Sequence, residues 1–250
     1  MLLLMVGRSS IARKLVFYPT HGTDEKGLKP WIMNGVLIGY SRTVDSPKNV
    51  WLMLHGNGGQ ASHRTYAIPC FSTGDSVFIL EYPGYGSRKG VPSKESFNQA
   101  AKEAYLSLRE GYPDTPVCVV GESIGSGPAS SLASLAQPPD KLVLVVPFDK
   151  LSLVAKDYVP SFLVALFLRD NWDNIEALSN YKRPVDIFGA LDDTIIPFGH
   201  AKALAASVPS SKFVVIEGGH NDWSRKGRVQ IGNEYNKRTA PRSNLTVGRE

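Results

Sequence analysis

Short apolar runs recur along the chain, separated by segments rich in glycine, proline and polar residues. Several runs are apolar almost throughout instead of alternating, which is typical of parallel strands covered by helices on both faces. The pattern predicts eight strands, at residues 15–19, 35–41, 50–56, 76–82, 116–121, 141–147, 184–189 and 212–217.

Helical segments are predicted between these runs. Residues 93–110 form the clearest one, with Ser93 as N-cap, Glu95 in the first turn and Gly111 as the stop, and residues 199–208 form another. From residue 77 onward strands and helices alternate, which predicts an α/β fold with a mostly parallel central sheet flanked by helices. The long interruption at residues 148–183 predicts a small helical cap.

Length and composition indicate one globular α/β domain. The chain has 250 residues, 42% of them hydrophobic and 20% charged. Two cysteines are too few for a disulfide framework, and Cys70 and Cys118 both stand among apolar residues, so we expect buried, reduced thiols. No C-x-x-C pair or H-E-x-x-H segment occurs in the sequence, and we therefore predict no metal site.

The net charge of +5 is confined to the end of the chain. Residues 224–250 contain seven Lys and Arg but two Glu, whereas residues 1–223 contain 21 residues of each sign. A neutral body argues against nucleic acid as a partner. We therefore predict a domain over residues 15–223, followed by a basic, mobile tail over 224–250.

The N-terminal segment, residues 1–14, begins MLLLMVG and then becomes basic. Its apolar part is too short to span a bilayer, and it lacks the leading positive charge of a signal peptide. Two interpretations stay open, a membrane contact and docking on the domain itself. We expect a cytoplasmic protein, with membrane association through this segment as the open alternative.

The stretch VVGESIGSG, residues 119–127, carries the first candidate for chemistry. Ser123 directly follows a predicted strand and precedes a predicted helix, and glycines at 121 and 125 leave room for a tight turn. A serine at this position is a candidate nucleophile, although a helix cap has the same sequence requirements. The distinction depends on the residues that the fold brings to Ser123.

Candidate partners for Ser123 follow later strands. A serine hydroxyl needs a base, and His220 comes just after the last predicted strand, in IEGGHND, whereas His21, His63 and His200 have no comparable placement. The imidazole needs an acid, and both Asp192 and Asp193 follow the seventh strand. Neighbouring residues point in different directions, so at most one of the two serves His220.

The glycine-rich segment HGNGG, residues 55–59, follows the apolar residues VWLML, 50–54, of the third predicted strand. Its backbone amides are candidates for an oxyanion hole, and we predict the N–H groups of Asn57 and Ile124 as the pair of donors. A phosphate-binding loop is the alternative for such a segment. The segment has neither the G-x-G-x-x-G form nor a P-loop lysine.

These pieces resemble the α/β-hydrolases, and more closely the small-capped serine hydrolases related to the serine-aminopeptidase-like group. The similar segments are HGNGG, EYPGYGSRKGVPS, GESIGSG, VPFDKL, LRDNWDN, DDTIIP and GGHNDW, which span most of residues 15–223. The order Ser123, Asp193, His220 is the order of that family. The resemblance favours Asp193 over Asp192, because members commonly carry the acid as D-x-x-I-P or D-x-x-V-P.

The resemblance implies a serine hydrolase that cleaves esters or thioesters of a small-molecule acyl substrate without a cofactor. There are two alternatives. One is an aminopeptidase, which would need an acidic group such as Glu122 or Asp222 to bind the substrate amine. The other is a non-catalytic interaction module on the same fold. Tyr85 and Trp172 are candidates for the pocket wall or for the core. The family's last helix is not predicted here, because residues after Trp223 lack helical periodicity.

Overall fold

A computed structural model describes Arg13 and residues 16–22, 27–225 and 228–232. The described residues contain one sheet of eight strands, in the order β1-β2-β4-β3-β5-β6-β7-β8. The β1–β2 and β2–β4 pairs are antiparallel, and the other neighbouring pairs are parallel. The strands are β1 Lys29–Met33, β2 Val36–Arg42, β3 Val50–Leu54, β4 Ser76–Leu80, β5 Val117–Glu122, β6 Leu142–Val145, β7 Val185–Ala190 and β8 Ser211–Ile216.

Seven of the eight predicted strands are present, and the prediction of a strand at 15–19 is wrong over its described residues, 16–19. Only Pro19 forms an isolated bridge there, to Gly59. The Tyr18 N–H donates to the Asn57 side chain instead of to a neighbouring strand. The segment is apolar because Phe17 is buried under the sheet's helical layer, where its ring contacts those of Phe97 and Trp172.

Strand β1 was not predicted, because its residues alternate in exposure and it lies at the sheet edge. It pairs with β2 through a two-residue turn at Asn34 and Gly35, which have φ values of 51° and 75°. Positive φ at both central residues is the geometry of the type I′ hairpin, for which Asn-Gly is the preferred sequence. The Asn-Gly pair between two apolar runs was therefore the available signal.

Six α-helices and three 3₁₀ segments accompany the sheet within the described residues. The predicted helix at 93–110 is present, and Ser93 forms a reciprocal capping box with Ser96. It extends through Gly111, one residue further than predicted. The helices are α1 Lys94–Gly111, α2 Ser126–Ser131, α3 Leu151–Tyr158, α4 Ser161–Phe167, α5 Asn174–Leu178 and α6 Phe198–Ser207, and the 3₁₀ segments are Ala61–Cys70, Ser123–Gly125 and Leu132–Ser134.

The core lies on both faces of the sheet. In β3, Leu52 packs into one apolar cluster, whereas Trp51 and Met53 pack into the other. Successive residues of a strand point to opposite faces, so a strand covered on both sides needs apolar residues throughout. Cys70 and Cys118 are buried free thiols, as expected.

The region predicted as a cap, residues 148–183, is divided between the surface and the core. Helices α3 and α4 carry many exposed side chains. Trp172, Leu178 and Tyr181 are instead buried in the main apolar cluster. Gly127 permits this packing, because a Cβ atom there would lie 2.5 Å from the Trp172 indole.

Two described residues beyond the domain boundary predicted at 223 pack against the domain. Val229 and Ile231 are buried, and the Ile231 N–H donates to the Cys70 carbonyl. Their apolar side chains cover the face of the sheet that contains Trp51, which explains why this part of the basic tail is packed. The remaining tail from residue 233 and nearly all of residues 1–14 lie outside the described residues. No described helix is long and apolar enough to cross a bilayer.

Candidate active site

The candidate site lies where the strand order reverses. Connections run outward from β3 to β4 on one side and onward from β5 to β6 on the other, while β3 and β5 are neighbours. Ligands of open α/β sheets bind at such a switch point, outside the carboxyl ends of the strands. The HGNGG segment follows β3, and Ser123 follows β5.

Ser123 has a strained backbone. Its φ is +54°, in a region that residues with a Cβ atom rarely adopt. The turn is pressed against β3, because a Cβ atom at Gly125 would lie 2.0 Å from the Leu54 carbonyl oxygen. A Cβ atom at Gly121 would lie 2.7 Å from the Gly125 carbonyl oxygen, so both glycines are needed for this strand-to-helix turn.

Ser123, His220 and Asp193 form one hydrogen-bonded chain. The Asp193 Oδ2 atom lies 2.7 Å from His220 Nδ1, and His220 Nε2 lies 2.9 Å from Ser123 Oγ. Since a carboxylate only accepts, Nδ1 carries the ring proton and donates it to Asp193. Nε2 is then the acceptor for the serine hydroxyl, as a general base requires.

The Asp193 carboxylate is held by its own loop. Its Oδ1 atom accepts the N–H groups of Ile195 and Ile196, at 2.9 and 2.8 Å, which leaves Oδ2 directed at His220. Asp193 is buried, whereas Asp192 is exposed to solvent. The structure therefore places Asp193, and not Asp192, beside His220.

The Asn57 side chain fixes the predicted oxyanion loop. Its Oδ1 atom accepts the Tyr18 N–H and the Tyr85 hydroxyl, at 3.1 and 2.8 Å, and its Nδ2 group donates to the Val16 carbonyl. Ile124 is buried directly after Ser123. The backbone amides of Asn57 and Ile124 thus belong to two segments that meet at the end of β3, and their role as oxyanion donors stays a prediction.

Comparison with solved structures identifies the fold. An esterase from Pyrococcus furiosus superposes with a TM-score of 0.61, covering 84% of this chain and 91% of that one at 15% identity. An esterase from Exiguobacterium antarcticum superposes with a TM-score of 0.56, covering 74% and 89% at 17% identity. The protein has the α/β-hydrolase fold. The predicted fold class and the resemblance to α/β-hydrolases are confirmed.

Sequence relatives align with about two thirds of this chain. An uncharacterized protein of Mycobacterium tuberculosis is 32% identical over 176 residues, covering 68% of this chain and 62% of the relative. The lysophosphatidylserine lipase ABHD12 of Danio rerio is 30% identical over 193 residues, covering 69% and 50%. The chain thus spans about half to three-fifths of the length of these relatives. No family model matches it.

Glu122, which the sequence analysis considers only as a partner for a substrate amine, is buried. Its carboxylate accepts the Gly56 N–H, the Tyr66 hydroxyl and the Trp223 indole N–H. Asp222, the other candidate, accepts the Gly219 N–H and pairs with Arg225. Both carboxylates are thus engaged by the protein itself.

The aromatic candidates for a pocket wall are core residues. Tyr85 is buried and reaches the site only through its hydroxyl, which donates to Asn57. Trp172 is also buried, and its indole N–H donates to the Asn98 side chain.

His200, set aside in the sequence for lack of a comparable placement, lies between two carboxylates. Its Nδ1 atom is 2.8 Å from Asp149, and its Nε2 atom is 2.7 Å from Asp157 in α3. Burial lowers the pKa of His200, but the hydrogen bonds to Asp157 and Asp149 outweigh burial, so the pKa is raised. The His200 ring, which belongs to α6, thereby links Asp157 of α3 to Asp149, which follows β6. Among the described residues no group of three His, Cys, Asp or Glu side chains is placed to hold a metal ion.

Proposed function

We propose that this chain is a serine hydrolase that cleaves carboxylic esters or thioesters through an acyl-enzyme on Ser123. The observation that carries the proposal is the hydrogen-bonded chain from Ser123 through His220 to Asp193, at a strained turn on the switch point of the sheet. Esterases among the solved structures of the same fold support it as an analogy.

The reaction follows from this geometry. Ser123 Oγ attacks the substrate carbonyl carbon while its proton passes to His220 Nε2, and Asp193 stabilises the resulting imidazolium. Collapse of the tetrahedral intermediate breaks the bond to the leaving group, which takes that proton from Nε2. Water then attacks the acyl-enzyme, again giving a proton to Nε2, and the acid product leaves as Ser123 regains its proton.

The negative charge on the carbonyl oxygen needs fixed donors. We assign this role to the N–H groups of Asn57 and Ile124, which stand on the two segments that meet beside Ser123. A donor of this kind is worth about 3 kcal/mol of transition-state stabilisation in related chemistry. The three contacts of the Asn57 side chain support the assignment, because they fix the loop before substrate arrives.

We propose that the acyl group is long, as in a lysophospholipid. An apolar rim supports this, formed by exposed side chains at the end of α3 and along α4, where Phe162 is 70% and Leu166 52% exposed. The Tyr158 hydroxyl joins the rim to the acid loop by donating to the Thr194 carbonyl at 2.6 Å. The rim comprises Tyr158, Val159, Phe162, Leu166 and Phe167. A relative named as a lysophosphatidylserine lipase agrees with this substrate class.

The aminopeptidase alternative has less support. A peptidase that removes N-terminal residues must hold the substrate amine with an anionic group, and the two carboxylates considered for that role, Glu122 and Asp222, already accept protein donors. A non-catalytic module would not require the serine, imidazole and carboxylate to be aligned within hydrogen-bond distance.

Hydrolysis of p-nitrophenyl esters tests the proposal. We expect wild-type protein to hydrolyse a series from acetate to palmitate, and Ser123→Ala to lose at least about a thousandfold in kcat. Aminoacyl anilides serve as the competing substrates. Faster cleavage of the anilides would favour the peptidase, and equal rates for wild type and Ser123→Ala would refute both enzymatic functions.

The apolar rim is tested separately. Phe162→Ser and Leu166→Ser are expected to lower kcat/KM for long-chain esters several-fold while leaving acetate hydrolysis unchanged, because a short acyl group does not reach the rim. Val36→Ser is the matched control, since Val36 is an exposed apolar residue on the edge hairpin. Equal losses on acetate and palmitate would contradict a role of the rim in acyl binding.

A further inference from the structure

Glu122 connects the three segments that converge on Ser123. It is the last residue of β5, directly before the serine, and it is 5% exposed. Its Oε2 atom accepts the Gly56 N–H at 3.0 Å. Its Oε1 atom accepts the Tyr66 hydroxyl at 2.8 Å and the Trp223 indole N–H at 3.0 Å.

Two of these partners belong to loops that contain proposed catalytic groups. Gly56 precedes Asn57 in the oxyanion loop, and Trp223 stands three residues after His220. Glycine lets the oxyanion loop approach closely, because a Cβ atom at Gly56 would lie 3.2 Å from the Glu122 carboxyl carbon, which is a tight contact. One carboxylate therefore spans the oxyanion loop, the nucleophile turn and the histidine loop.

A buried arginine holds the same loop from its carbonyl side. Arg64 donates to the carbonyl oxygens of Gly56 and Gly58. Burial raises the pKa of Glu122, but the Arg64 charge and the three hydrogen bonds outweigh burial, so the pKa is lowered and the carboxylate stays ionised. An ionised carboxylate offers acceptors for all three donors at once, which a neutral amide cannot do.

We propose that Glu122 is a positioning residue, which sets the oxyanion loop and the histidine loop at their working distance from Ser123. The proposal rests on the serine hydrolase function given above. Glu122 does not touch the reacting atoms and acts through Gly56 and Trp223. Misplacement of a catalytic group by about 1 Å can lower a rate about a hundredfold, so a network that fixes two loops bears directly on turnover.

The test compares Glu122→Gln with Asp75→Asn. Glutamine has nearly the same shape, but it replaces one acceptor oxygen with a donor and removes the charge that faces Arg64. Asp75 is the matched control, because it is also a fully buried carboxylate bonded to an indole N–H, that of Trp51, and to the Asn49 amide. Asp75 lies just before the amino-terminal end of β4, whereas Ser123 lies at the carboxyl end of the parallel strands, so the two residues are at opposite ends of the strands.

We expect Glu122→Gln to lower kcat for p-nitrophenyl esters about tenfold to a hundredfold with little change in KM, whereas Asp75→Asn keeps kcat. Trp223→Phe removes only the indole donor and keeps the carboxylate, and we expect a smaller loss of kcat. It also keeps the proposal testable if Glu122→Gln does not fold. Unchanged kcat in Glu122→Gln and Trp223→Phe, or equal losses in Asp75→Asn, would overturn the proposal.

A second readout does not depend on activity. Hydrogen–deuterium exchange of the backbone amides should rise in both residues 55–59 and 217–223 of Glu122→Gln, because both loops lose an anchor. The Asp75→Asn protein should leave these two segments as in wild type. An inactive wild type would refute the proposed function, while unchanged exchange in the two loops of Glu122→Gln would refute the positioning role.

Discussion

Replacement of Asp193 by asparagine tests the proton route through the candidate site. The Oδ1 atom of Asp193 accepts two backbone N–H groups, from Ile195 and Ile196. In Asp193→Asn these donors hold the amide oxygen, so the NH₂ group faces His220 Nδ1. Two donors cannot bond to each other, and the imidazole is then driven to the tautomer with its proton on Nε2.

The size of the effect follows from that change of tautomer. His220 Nε2 lies 2.9 Å from Ser123 Oγ, and a protonated Nε2 cannot accept the serine proton. The same change in a serine protease triad lowers kcat about ten-thousand-fold, which corresponds to about 5 kcal/mol. We therefore expect a loss of this order in Asp193→Asn, with KM little changed.

Steady-state hydrolysis of a p-nitrophenyl ester measures the loss, and Asp192→Asn is the matched control. Asp192 is exposed and adjacent in sequence, so its replacement should keep kcat within about twofold. A loss for Asp192→Asn that equals or exceeds that for Asp193→Asn would refute the assignment of the acid. Circular dichroism of both variants establishes that the comparison is made between folded proteins.

Two further predictions concern stability. Gly127→Ala should lower the free energy of unfolding, measured by urea denaturation, by about 1–3 kcal/mol, because its Cβ atom would lie 2.5 Å from the Trp172 indole. Gly111→Ala is the control and should be neutral or stabilising, because its Cβ atom would meet no atom within 4 Å. A larger loss of stability in Gly111→Ala than in Gly127→Ala would contradict the packing argument. His200→Ala should destabilise the protein more at pH 6 than at pH 9. A raised pKa means that the stabilisation by charged His200 is complete below the unfolded-state pKa and is lost as the pH rises through the folded-state pKa. A pH-independent difference between wild type and His200→Ala would contradict this.

The central sheet was predictable because burial on both faces demands apolar residues at every position. β3 and β6 have this composition, β5 has it up to Val120, and all three strands are buried throughout. The edge strand β1 was missed because its residues alternate between exposed and partly buried, and none of them is fully buried. The segment at 15–19 was misassigned for the converse reason, since its apolar residues Val16 and Phe17 pack into a core cluster without forming a strand.

The candidate site was predictable as far as it depends on strand ends. Ser123, Asp193 and His220 each follow a strand, and parallel strands bring their carboxyl ends to one edge. The Glu122 network was not predictable, because its donors lie 56, 66 and 101 residues away in sequence. A glutamate at a strand end has no pattern that distinguishes a substrate anchor from a buried link between loops.

Labelling with a fluorophosphonate probe tests the central claim most directly, because the probe reacts with a serine only when a base and oxyanion donors activate it. We expect intact-mass analysis to show one adduct on folded wild-type protein, mapped to the peptide that contains Ser123, and none on Ser123→Ala. An unlabelled, folded wild type, or an adduct that persists in Ser123→Ala, would contradict the assignment of Ser123 as the nucleophile.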